Sequence, residues 1–81
     1  MGTRPRPRPQ HLAAKLLAIR QKMGVSQPKL AQLLAFEVSY ARVSEYEKGT
    51  REPNLLVLLS YAKIAGVSME TLVDDTLRLP K

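Results

Sequence analysis

Residues 26–49, SQPKLAQLLAFEVSYARVSEYEKG, decide how this chain folds. Two short helix patterns lie in the stretch, Gln27 to Leu34 and Tyr40 to about Glu47, each preceded by a serine suited to an N-cap. Pro28 is allowed in the first turn of the earlier helix, where its missing N–H has no intrahelical partner to lose. Leu30, Ala31 and Leu34 share one face of that helix, and Ala31 is small enough for a close crossing. In the later helix Val43 and Tyr46 point inward, which leaves Tyr40, Ala41, Arg42, Ser44 and Glu45 outside. Ala35 to Val38 connects the two, and Gly49 suits a left-handed stop.

Working outward toward the amino end, Gln10 to Met23 reads as the first helix. Leu12, Leu16, Ile19 and Met23 fall at the i, i+4, i+7, i+11 positions of one face. Arg20 lies beside this stripe and needs a partner. Glu47, at the core edge beside Val43 and Tyr46, is the obvious one, because an Arg–carboxylate pair is charge-assisted and geometrically specific. The competing reading has both side chains snorkelling to water. Gly24 stops the helix and Val25 turns the chain back to the core.

Toward the carboxyl end, Lys48 to Pro53 forms a loop in which Lys48 and Arg51 suit phosphate contacts. Asn54 caps a fourth helix running to about Ala65, with Gly66 as its stop. Leu55, Leu58, Leu59 and Ala62 are expected to face inward. Leu56, Val57 and Ile64 make the helix apolar nearly all round, more than a domain this small can cover. Leu56, Ser60 and Ile64, at i, i+4 and i+8, form a candidate surface for a partner. Ser68 caps a fifth helix, Met69 to about Asp75, burying Leu72 and Val73. Glu70 near its start complements the helix dipole; Asp74 and Asp75 near its end do not, and read as a solvated pair. In the tail, Thr76 to Lys81, Leu77 and Leu79 alternate with polar residues; it lies extended against a partner or frays.

Met1 to Pro9, MGTRPRPRP, blocks both helix and sheet, since proline lacks the N–H and biases its predecessor to extended shapes. A polyproline-like or disordered arm carrying Arg4, Arg6 and Arg8 is expected. Such an arm follows a phosphate backbone or enters a minor groove, or is a solubilising tail; a ligand for a proline-recognising domain is a weaker reading.

The 81 residues make one small domain with a net charge of +6 and a pI of about 10.1, a balance that favours a polyanionic partner. Residues 1–51 hold ten Lys or Arg against three Asp or Glu, and residues 52–81 hold three against four. Positive charge therefore travels with the decisive stretch. The lack of cysteine excludes disulfides and thiolate metal sites and favours a reducing compartment, here the cytoplasm. His11 alone builds neither a metal site nor a triad. Glu45 and Glu47, two apart on a helix, face different ways and form no catalytic pair. No enzyme activity, cofactor, metal or membrane association is expected.

A short helix, a connection and a second helix with a polar open face fit a DNA major groove. Arg20, Gly24, Ser26-Gln27, Leu30-Ala31, Val43-Ser44, Glu47, Gly49, Arg51-Glu52-Pro53 and Gly66-Val67-Ser68 carry a wider likeness. Together they make residues 12–73 resemble the Cro/C1-type (XRE-like) helix-turn-helix domain of phage repressors and bacterial regulators. The resemblance implies an all-α, compact five-helix bundle, lambda-repressor-like, to which the Arg-Pro stretch adds a disordered basic N-terminal arm. The domain then spans residues 10–76, between an arm at 1–9 and a tail at 77–81.

It also implies double-stranded operator DNA as the partner, bound by a homodimer on a palindromic site. Carried over by position, Tyr40, Ala41 and Glu45 face bases, with Arg42 and Ser44 beside them. Gln27, Lys29, Ser39, Lys48 and Arg51 contact phosphates, and Arg20 with Glu47 matches the family's internal ion pair. Arg42 is the best reader of guanine; Glu45 accepts from a cytosine N4 or rejects wrong sites. Where the family connects the two helices more tightly, Ala35-Phe36-Glu37-Val38 intervenes, so the second helix extends a turn or the connection bulges. The alternatives are an antitoxin or other protein-interaction module on the same fold, and non-specific coating of nucleic acid through the arm.

Overall fold

The computed structural model describes residues 9–34 and 38–80. The arginines of the arm, Arg4, Arg6 and Arg8, and Ala35, Phe36 and Glu37 of the connection lie outside the described residues. Among these described residues five helices follow one another: α1 (Leu12–Met23), α2 (Gln27–Leu33), α3 (Tyr40–Lys48), α4 (Leu55–Ala65) and α5 (Met69–Val73). The chain is an all-helical bundle, with no strand among the described residues.

Local chemistry sets most of the boundaries. Ser26, Ser39, Asn54 and Ser68 each sit in extended backbone and accept the N–H three residues on, from Lys29, Arg42, Val57 and Thr71, at 2.9 to 3.3 Å. Each such cap contributes about 1 kcal/mol. Helix α3 ends where Gly49 takes φ 78°, a left-handed conformation costly for residues with a Cβ. Its N–H and that of Thr50 then reach back to Tyr46 and Glu45 carbonyls, at 3.2 and 3.1 Å.

Around one core gather Leu12, Leu16 and Ile19 of α1, Leu30 and Ala31 of α2 with Leu34 just past its end, Val43 and Tyr46 of α3, four residues of α4, and Leu72 of α5. Leu16, Leu30, Val43, Tyr61 and Leu72 are fully enclosed. Burying each of those leucines contributes about 2 kcal/mol. Helix α1 is central, packing on α3 toward one side and on α5 toward the other; α2 packs on α3 and α4 on α5.

Five details differ from the sequence expectation. Helix α4 turns Val57, Leu58, Tyr61 and Ala62 inward, while Leu55 is 70% exposed and Leu59 half-buried. A helix apolar nearly all round has no periodic signal to set its rotation, so packing against α5 chooses the face. Helix α5 stops at Val73, itself exposed, because Asp74 is extended at ψ 111°. Met23, the last of the α1 stripe, is partly exposed beside Gly24. Helix α1 begins at Leu12, not Gln10, because Asp75 takes the N–H groups of Gln10 and His11, at 2.9 and 3.0 Å. The buried Leu34 is extended, at ψ 140°, so α2 does not continue through it.

Candidate nucleic-acid interface

The open side of α3 follows from its inward side. With Val43 and Tyr46 buried, the helix turn leaves Tyr40, Ala41 and Arg42 exposed, and Ser44 and Glu45 half-buried. Lys29, at the amino end of α2, is exposed, as are Ser39, Lys48 and Arg51 around the two ends of α3. Ser39 uses its Oγ to cap the Arg42 N–H, and its own O–H stays available to donate.

Orientation of this face is set from behind. Arg20 of α1 donates Nε to Glu47 Oε2 at 2.6 Å and Nη2 to Glu47 Oε1 at 3.0 Å, a two-pronged pair. A third nitrogen, Nη1, donates to the Val25 carbonyl at 3.1 Å, which pins the turn between α1 and α2. The Glu47 side chain is 5% exposed and that of Arg20 20%. The hydrogen bonds to Glu47 hold the Arg20 pKa above its ordinary value. Gln27 completes the set, its Nε2 donating to Glu47 Oε1 at 3.0 Å. One carboxylate of α3 therefore holds α1 and the first residue of α2 together. The amide keeps a second N–H toward its surroundings. Burial, then the nearby Glu47 charge, pushes up the pKa of the Tyr61 phenol, whose hydroxyl has no hydrogen-bond partner among the described residues.

Glu45 behaves unlike Glu47. It lies on the open side, where Arg51 Nε sits 3.3 Å and Arg42 Nε 4.0 Å from its Oε1. The Glu45 carbonyl also accepts from Thr50, through N–H at 3.1 Å and Oγ1 at 3.3 Å, which folds the following loop against α3.

On α4, Leu56 is exposed while Ser60 and Ile64 are half-buried, so the stripe rises from the core edge toward solvent at its amino end. Leu55 widens the apolar surface there.

Two groups outside this face escaped the sequence reading. Lys15 is buried, and its Nζ donates to the Thr71 and Asp74 carbonyls at 2.8 and 2.9 Å, closing the carboxyl end of α5. Asp75, read as merely solvated, closes the amino end of α1. The only signal was Lys15 on the apolar side of the first helix.

A bundle whose second and third helices pack together and leave one polar helix face open is a helix-turn-helix architecture. Residues 16–72 match the helix-turn-helix family, and the chain belongs to that family, in its Cro/C1-type branch. Among solved structures the fold is similar to that of the P22 c2 repressor protein, determined in complex with synthetic operator 9T in the presence of Tl+. That likeness has a TM-score of 0.71 at 26% sequence identity, and covers 79% of this chain and 94% of that one. No protein of curated function matches the sequence.

Proposed function

We propose that this protein is a sequence-specific DNA-binding transcription regulator, a repressor that occupies a palindromic operator as a homodimer. The observation that carries the proposal is the open face of α3, oriented from behind by Arg20, Glu47 and Gln27, with Arg42 on it and Lys48 and Arg51 at its carboxyl end. Similarity to a repressor determined on operator DNA supports it.

In this mechanism α3 enters the major groove and α2 lies across the backbone. Arg42 reads guanine through O6 and N7, Ala41 and Tyr40 meet apolar base edges such as a thymine methyl, Ser44 donates or accepts, and Glu45 accepts from a cytosine amine. Lys29, Lys48 and Arg51 neutralise phosphates, and Gln27 and Ser39 donate to phosphate oxygens. The second copy docks through Leu56, Ser60 and Ile64 of α4, which sets two α3 helices about 34–36 Å apart along the duplex, one helical turn. Repression is then occlusion of a promoter.

Selection from random duplexes tests this directly. The expected result is an enriched motif with two-fold symmetry, bound more weakly as salt rises, in proportion to the phosphates contacted. A motif without symmetry would remove the homodimer; no motif at all would remove sequence reading.

A further inference from the structure

We infer that Glu45 is a specificity-determining latch, which ties the grip of Arg42 and Arg51 on DNA to the base that Glu45 meets. The inference rests on the DNA-binding reading above and deepens it.

Its basis is the way three charges share one patch. Arg42 lies one turn before Glu45 on α3, and Arg51 reaches back from the loop after Gly49. Both guanidinium groups converge on the same oxygen, Oε1, at 4.0 and 3.3 Å. All three side chains are between 42% and 49% exposed, so the cluster stands at the surface where DNA would arrive. No fold requirement explains it, since the core lock on α3 is made by Glu47, two residues on and turned inward. Thr50, bonded to the Glu45 carbonyl, fixes the loop that carries Arg51 close to the carboxylate.

The consequences are electrostatic. In free protein the carboxylate offsets part of the positive charge that a phosphate would feel from Arg42 and Arg51. A phosphate approaching Arg51 also approaches Glu45, and like charges repel. A cytosine N4 amine opposite Glu45 donates to it, draws it from the arginines, and frees them for guanine and phosphate. A thymine O4 or guanine O6 at that position presents an acceptor to an acceptor. Glu45 then stays on Arg51, and the backbone grip weakens with the base mismatch. Base reading and phosphate binding are thereby coupled through one side chain.

The test is Glu45→Gln, which keeps size and hydrogen bonding and removes the charge. Random duplex should then bind more tightly, with a salt slope steeper by about 0.9, one added phosphate contact. The preference for the selected motif over random duplex should fall about fivefold, the low end of what one base contact discriminates. The same substitution in an Arg51→Ala background should give a smaller gain on random duplex, because the latched partner is gone. An equal gain with or without Arg51 would overturn the latch in favour of simple long-range repulsion. Unchanged affinity and preference in Glu45→Gln would overturn it too, while leaving the function intact if the parent protein still selects a motif. A parent protein that selects no motif brings down both.

Discussion

The two halves of α1 are fastened to the rest of the bundle by opposite devices. In its last turn Arg20 meets a side chain, Glu47, in a two-pronged pair that holds α3 and, through Gln27, α2. In its first turns the chain meets α5 by exchange of helix ends: Lys15 donates to the final carbonyls of α5, and Asp75 accepts the N–H groups ahead of α1. The first device couples a nearly buried carboxylate to a guanidinium that keeps some contact with water, so removing one leaves the other without its counter-charge. The second satisfies backbone groups that any helix end leaves open. The proposed DNA face hangs on the first, and the second braces the opposite side of the core.

The comparison predicts a ranking. Glu47→Ala should cost the most, about 3 kcal/mol, the low end for a broken buried pair because Arg20 keeps some contact with water. Urea unfolding would read this as a lower midpoint at unchanged slope. Lys15→Met, which keeps the apolar stem but removes both bonds to carbonyls, should cost about 2 kcal/mol by the same measurement. A larger loss for Lys15→Met than for Glu47→Ala would reverse the assignment of the principal lock.

The smallest effect is a pH dependence. The N–H groups of Gln10 and His11 hold the Asp75 carboxyl below its ordinary pKa, and the hydroxyl and N–H of Thr76 do the same for Asp74. Groups depressed in the folded state bind fewer protons there than when unfolded. Their stabilisation is therefore complete above the unfolded value, about 4, and is lost as pH falls through the lower folded value. Thermal melts should show stability falling below about pH 4, and Asp75→Asn should lose less over that window than the parent. An equal loss would mean that the exchange of helix ends adds nothing measurable at acid pH.

Much of this architecture was legible from residue type and spacing. Ser26, Ser39, Asn54 and Ser68 marked helix starts because their oxygens accept N–H groups three residues away, a local matter. Gly49 marked an end because its left-handed turn is local too. The rotation of α4 was not legible, since leucines on every side give no phase; Leu55 faced out and Tyr61 in. Nor were the roles of Lys15 and Asp75, whose partners are main-chain atoms more than fifty residues away and carry no sequence signature. On the candidate site, side-chain types named the exposed α3 residues, but Arg51 folding back onto Glu45 depends on the loop path after Gly49.

The bonds from Gln10 and His11 to Asp75 also bring the two ends of the bundle to one corner. In mechanical terms the domain is a loop closed by a clasp. A pull applied through residues 9 and 76 loads those two hydrogen bonds before any others, and peels α1 from α5 while the Arg20–Glu47 side is still unstressed. Anything tethered at either end would therefore tug first on the part of the molecule farthest in function from α3.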